Sequence, residues 1–191
     1  MKNKIIISNK SEIHMEVHQK DFFSDWKEML RSYEAEGYFN HLSNQSEKVF
    51  INSPEPIGMT SLVETDENSE IVYAKRKDRS LYTRFVKNRK GSITSSFVVI
   101  LNRSRHNESD YFFVTMFPGI GAYREPEDPH ISTKEELKQS LYFWGTHALV
   151  FDESTIDTQT ITPICPYDDL FDELSLGHLE DDDLEGEHFS Y

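Results

Sequence analysis

Apolar residues first alternate along this chain and then gather into stripes. Ile13, Met15 and Val17 alternate with His14, Glu16 and His18, which is the period of a half-buried strand. Over residues 21–36 the step lengthens. Phe22, Phe23, Trp26, Met29, Leu30 and Tyr33 recur at three- and four-residue intervals, which predicts an amphipathic helix stopped by Gly37. Residues 38–52 show no clear period. Ser53-Pro54-Glu55-Pro56 predicts a turn or extended linker, because each proline restricts the residue before it.

From there the pattern is that of strands. Residues 59–64 and 70–74 bracket a polar turn, and residues 81–86 fit a strand by residue type, although Leu81/Phe85 and Tyr82/Val86 also suit a helix face. The strongest strands are residues 97–101 and 111–117, which the polar loop 102–110 joins as a hairpin. Gly119, Gly121, Pro126 and Pro129 predict a loop. Residues 132–147 read as a second helix, with Thr133 and Glu136 at capping-box spacing, and residues 148–151 as a last strand. Without regular β-α-β alternation, the class is α+β: a small antiparallel sheet flanked by an N-terminal helix and a later one. The expected organisation is one domain over residues 1–167 and a flexible acidic tail over residues 168–191.

Composition narrows this picture. Of 191 residues, 37% are apolar and 13% aromatic, enough for an aromatic-rich core. The longest apolar runs fall far short of the ~20 residues that cross a bilayer, so no membrane partner is expected. The basic start Met1-Lys2-Asn3-Lys4 leads into only three apolar residues, too few for an export signal. A single cysteine, Cys165, excludes an internal disulfide and fits a reducing, cytoplasmic compartment.

Charge changes the picture more. The net charge of −14 hides an uneven distribution, since residues 73–105 hold ten of the twenty Lys and Arg. The last 28 residues hold ten Asp and Glu and no Lys or Arg, and without them the net charge is −4. In the basic segment, Lys75, Arg76, Lys77, Arg79, Arg84, Lys87, Arg89 and Lys90 are interleaved with Tyr73, Tyr82 and Phe85. Cations meet phosphates and aromatic faces meet unstacked bases, so this composition suits an RNA strand, whereas a solvated surface balancing the acidic tail is the plain alternative.

Three further features carry candidate chemistry. Thr115 stands in an otherwise apolar strand, where its hydroxyl either positions a phosphate oxygen or bonds a neighbouring side chain. His147 ends the second helix, where it either moves protons or caps the helix. His14, Glu16 and His18 would project together from a strand as a metal set by residue type, or simply face solvent. The phosphate-loop, dinucleotide, nucleophile-elbow and C-x-x-C signatures do not occur. No cofactor and no metal are expected.

The run Ile57-Gly58-Met59-Thr60-Ser61-Leu62-Val63-Glu64-Thr65, the run Ile71-Val72-Tyr73-Ala74-Lys75-Arg76, and Arg79 with Tyr82-Thr83-Arg84-Phe85-Val86-Lys87 resemble an uncharacterised group of bacterial and phage proteins. Gly119-Ile120-Gly121, Glu125-Pro126 and Phe143-Trp144 with His147-Ala148-Leu149 are similar to that group too, so the resemblance covers residues 53–151. More loosely, the arrangement resembles the RelE-like, barnase- and colicin-related ribonucleases, which cleave RNA without metal. The resemblance implies a toxin-like or phage-associated endoribonuclease. In that reading Arg76, Arg79 and Arg84 bind phosphate and the transition state, Thr115 positions the phosphate, and His147 or Tyr82 acts as acid or base. Lys75, Lys87 and Arg89 would add substrate contacts. The competing reading is a non-enzymatic binding or inhibitor protein whose acidic tail engages a basic partner. RNA and an antitoxin- or immunity-type protein are the partners the two readings imply, and the sequence leaves the oligomeric state open.

Overall fold

The structure, a computed structural model, describes residues 3–77 and 79–171. From residue 172 onward the expected acidic tail, 168–191, lies outside the described residues, as does Asp78. In chain order the elements begin with β1 (Lys4–Ile6), α1 (Asn9–His18), α2 (Trp26–Ala35), β2 (Ser46–Asn52), β3 (Gly58–Thr60), β4 (Leu62–Glu64) and β5 (Ile71–Lys75). They continue with β6 (Tyr82–Val86), β7 (Ser92–Thr94), β8 (Ser96–Arg103), β9 (Asp110–Pro118), α3 (Lys134–Thr146) and β10 (His147–Val150). The class is α+β. Among the described residues no helix is long and apolar enough to cross a membrane. The residues read from sequence as one domain divide into two compact units, Met1–Ser61 with Gly91–Gly121 and Leu62–Lys90 with Ala122–Tyr191.

The first unit is built on a four-stranded sheet in the order β1-β9-β8-β2. The hairpin expected from residues 97–117 forms as β8 and β9, antiparallel with a register shift at Ile100/Leu101. β1 joins the far edge of β9 in parallel, with Ile5 opposite Tyr111. The helices cover one face, where Met15, Trp26, Leu30 and Tyr33 pack with Phe97, Val99, Leu101, Phe113 and Met116. Trp26 stacks on Phe113 with ring centroids 5.2 Å apart. A separate antiparallel ribbon pairs β3 with β7, a strand the sequence pattern does not announce. After β9 the chain turns at Gly119, whose φ of +88° suits glycine and where a Cβ would come within 2.5 Å of Thr60 Oγ1.

The alternation over residues 13–17 does not make a strand. These residues lie in α1, whose N-cap Ser8 accepts a hydrogen bond from Ser11 N. Of the three alternating apolar residues only Met15 is buried, while Ile13 and Val17 are 57% and 62% exposed. On a helix, i and i+2 face different ways, so the period-two pattern is accidental here. The helix expected over 21–36 begins later than its stripe. Asp25 caps it by accepting from Lys27 N and Glu28 N, which leaves Phe22 and Phe23 in the approach to α2. Gly37, at φ +89°, closes that helix as expected.

The second unit carries a sheet in the order β4-β10-β6-β5. β10 runs parallel to β6 and antiparallel to β4, and β5 pairs antiparallel with β6. α3 forms where its capping box placed it, with Thr133 Oγ1 accepting from Glu136 N and the Glu136 carboxylate accepting from Ser132 N. Its inner face buries Leu141, Phe143 and Trp144. Smaller cores form around Val72, Ala74, Phe85 and Ile156, and around Val63, Val86 and Ala148. Each four-stranded sheet is thus antiparallel apart from one parallel pair, and the β3–β7 ribbon is wholly antiparallel.

Candidate anion-binding cleft beside β5

The end of β5 and the turn after it help to form a charged concave surface. β5 would be an edge strand, with unpaired donors and acceptors along one side. Residues 155–162 cover that edge. Tyr73 and Thr162 exchange backbone hydrogen bonds at 2.8 and 2.9 Å, Asp157 N donates to Lys75 O at 2.8 Å, and Lys77 N donates to Thr155 O at 3.0 Å. Thr160 Oγ1 accepts from Lys75 N at 2.8 Å. Asp157 caps the short helical turn that follows, its carboxylate accepting from Gln159 N.

Between these two stretches lies a cleft of about 450 Å³. It is lined by Lys75, Arg76, Lys77, Arg79 and Ser80 and by Ile156, Asp157 and Thr158. Four cations and one carboxylate belong to this lining, and a second carboxylate, Glu125, pairs with Arg79. Most small-molecule pockets of this volume are walled by apolar and aromatic side chains. This one is walled by charge, so it fits an anion.

Arg79 is fixed from behind. Glu125 is 2% exposed, and one of its carboxylate oxygens accepts from Arg79 Nη1 at 3.3 Å while the other accepts from Thr83 Oγ1 at 2.9 Å. The loop that carries Glu125 is itself clasped to α3, because Arg124 O accepts from Ser140 Oγ at 2.7 Å and from Trp144 Nε1 at 3.0 Å. Arg79 remains half-exposed at the cleft. A buried carboxylate thus holds a guanidinium at the wall while removing much of its net charge. The other cations are also steadied: Lys75 Nζ lies 5.1 Å from the Tyr82 ring centroid, and Lys77 Nζ donates to Ser154 O at 2.8 Å.

The remaining candidates are not among the residues that line this cleft, and each has contacts of its own. Arg84 Nη1 donates to Thr65 Oγ1 at 2.8 Å and to His147 O at 3.0 Å, so its guanidinium clasps the start of β10 to the turn after β4. His147 lies flat on Phe143, with centroids 4.5 Å apart, and its Nδ1 is within hydrogen-bonding distance of Thr146 Oγ1 and Phe143 O. That is the capping alternative of the sequence reading. Lys87 Nζ sits over the Phe151 ring at 5.1 Å. Arg89 pairs with Asp66 and lowers that carboxyl below its usual value. Thr115 belongs to the first unit, where its hydroxyl donates to Met15 Sδ at 3.7 Å and lies 3.1 Å from His14 Nε2.

His14, Glu16 and His18 do not form a metal set. On α1 the two imidazoles stand one turn apart with ring centroids at 4.8 Å, His18 pairs with Asp21, and Glu16 points elsewhere. Among the described residues no three His, Cys, Asp or Glu side chains gather to hold a metal ion.

No family model matches the chain, and no curated protein is similar to it. Among solved structures, a conserved hypothetical protein from Toxoplasma gondii is similar, at 10% identity and a TM-score of 0.49, over 74% of this chain and 94% of that one.

Behind the cleft, Tyr73 and Tyr167 meet edge to face at 5.6 Å. Burial pushes the Tyr73 phenol from 10.0 up to about 12, with a further rise from the Cys165 thiol bonded to it and an opposing pull from Arg84. Burial raises Tyr167 as well, and its hydroxyl has no hydrogen-bond partner among the described residues. Below pH 10 both phenols are neutral whether the chain is folded or not. Above pH 10 the unfolded chain ionises first, so the stability contributed by neutral Tyr73 is lost as pH rises through about 12. Thermal melts against pH are expected to fall more steeply over that window in the native chain than in Tyr73→Phe; parallel curves would refute the assignment.

Proposed function

We propose that the chain is an RNA-binding protein that holds a single strand by its phosphates in the cleft beside β5. The observation that carries this reading is that Lys75, Arg76, Lys77 and Arg79 all line one cleft. Several cations lining one cleft suit a polymer of phosphates better than they suit a single anion. The fixed guanidinium of Arg79 adds a donor fork whose position is set before the ligand arrives.

The reading stops at binding. Arg84 and His147, expected from the sequence to stabilise a phosphorane and to move a proton, clasp the junction of α3 and β10. Thr115 belongs to the other unit.

The test is fluorescence anisotropy with a labelled single-stranded RNA over a salt series. Lys75→Ala/Lys77→Ala is expected to weaken binding about 10-fold and to reduce the slope of log K against log salt by about 1.4, from about 0.7 per phosphate contact. Binding that the double substitution leaves unchanged would overturn the proposal. So would the absence of binding in both the native chain and a chain whose C-terminal carboxylates are replaced by amides.

A further inference from the structure

The C-terminal segment is anchored beside the cleft. Residues 155–162 run along β5, and Tyr167, 3% exposed, packs on Tyr73, two residues before Lys75 on the same strand. Phe171 follows four residues after Tyr167. Beyond it the sequence supplies twenty residues with eight carboxylates and no Lys or Arg, four of them consecutive at Glu180, Asp181, Asp182 and Asp183.

From the charge complementarity and the anchor, we infer that the acidic segment 172–191 occupies the basic cleft of its own chain and competes there with RNA. The inference deepens the RNA-binding reading and rests on it for the competitor, but the docking itself is separately testable. Covalent attachment places the carboxylates at a local concentration on the order of mM, so contacts too weak to hold a free peptide suffice to fill the cleft. The attraction acts between partly exposed charges and is screened over ~8 Å at physiological salt, so occupancy falls as salt rises. A row of carboxylates meets the same cations as a row of phosphates, and Lys75, Arg76, Lys77 and Arg79 cannot serve both.

Two measurements on the full chain decide it. The first compares RNA affinity of the native chain with that of Glu180→Gln/Asp181→Asn/Asp182→Asn/Asp183→Asn/Glu185→Gln/Glu187→Gln. The substituted chain is expected to bind single-stranded RNA about 10-fold more tightly at low salt, with the difference closing near 1 M salt, where screening acts within ~3 Å. The second is carbodiimide crosslinking of the native chain at low salt, read by mass spectrometry on isotopically mixed protein. Intramolecular links from the acidic segment to Lys75 and Lys77 are expected, lost at high salt. Measurable and equal RNA affinities in the two chains overturn the inference, as do links spread evenly over Lys10, Lys20 and Lys138. Links confined to Lys75 and Lys77 without RNA binding by either chain support the docking and overturn the RNA reading instead.

Discussion

Phe113→Ala is expected to cost about 3–5 kcal/mol of folding free energy. Phe113 is 2% exposed on β9, opposite Leu101 of β8, and its ring is stacked on Trp26 of α2. It is therefore the point where the sheet of the first unit meets its helical layer. Truncation removes a buried aromatic side chain and strands the indole face it covers. Both neighbouring strands are fixed by their ladders to β1 and β2, so the space cannot readily close. Urea unfolding followed by tryptophan fluorescence gives the number. A loss below about 1 kcal/mol would mean that Phe113 is not the keystone of this layer. Phe112, the next residue back on the strand and 41% exposed, is the natural control, because the same truncation there empties no core.

The elements that were legible in the sequence share one property: their local signal and their tertiary role agree. β8 and β9 are apolar runs that end as central strands, and α3 announces itself by Thr133 and Glu136, which make the bonds their spacing implies. α1 failed because its signal was tertiary. A helix that buries Ser11 and Met15 and exposes Ile13 and Val17 has almost no apolar stripe, and the chance alternation of three residues outweighed the Ser8 cap. β7 is three residues long with Ile93 exposed, and it exists because β3 needs a partner; nothing local to residues 92–94 says so. The division into two units was invisible for a related reason. Each unit is assembled from two separate stretches, and periodicity reports on neighbours in sequence only.

The candidate site was legible in its cations and not in their surroundings. Lys75, Arg76 and Arg79 were singled out from the basic segment, and they line the cleft with Lys77. Glu125, which fixes Arg79, sits in a loop of glycines and prolines where one acid among several gives no sign that it is nearly fully buried. Asp157 and Thr158 had a weak signal, since an Asp ahead of Thr-Gln-Thr is a cap pattern, yet what makes them a wall is the pairing of residues 155–162 with β5. Charge is written in the composition. Whether a cation is spent on a carboxylate, a carbonyl or a ligand is decided by partners far away in sequence.

Arg84 is where that distinction has the largest consequence. Read from sequence, Arg84→Ala removes a phosphate ligand and leaves the fold intact; read from the structure, it unclasps the second unit. Its Nη1 serves Thr65 Oγ1 and His147 O, joining the turn after β4 to the start of β10, and its charge faces the phenols of Tyr73 and Tyr167. Hydrogen bonds from a charged donor contribute about 1.5–3 kcal/mol, and removal leaves a partly buried carbonyl unsatisfied. The expected cost of Arg84→Ala is therefore about 2–4 kcal/mol. Arg84→Lys keeps the charge, but its ammonium stops short of the place that Nη1 occupies, so it should fall between the native chain and Arg84→Ala. RNA affinity, measured under conditions where the variants remain folded, should change less than about 2-fold, against about 10-fold for Lys75→Ala/Lys77→Ala. Unchanged melting with lost RNA affinity would reverse the assignment and return Arg84 to the role its sequence neighbourhood suggests. Reduced stability with RNA binding retained would show that this guanidinium holds strands together, and that the anion site begins at the end of β5.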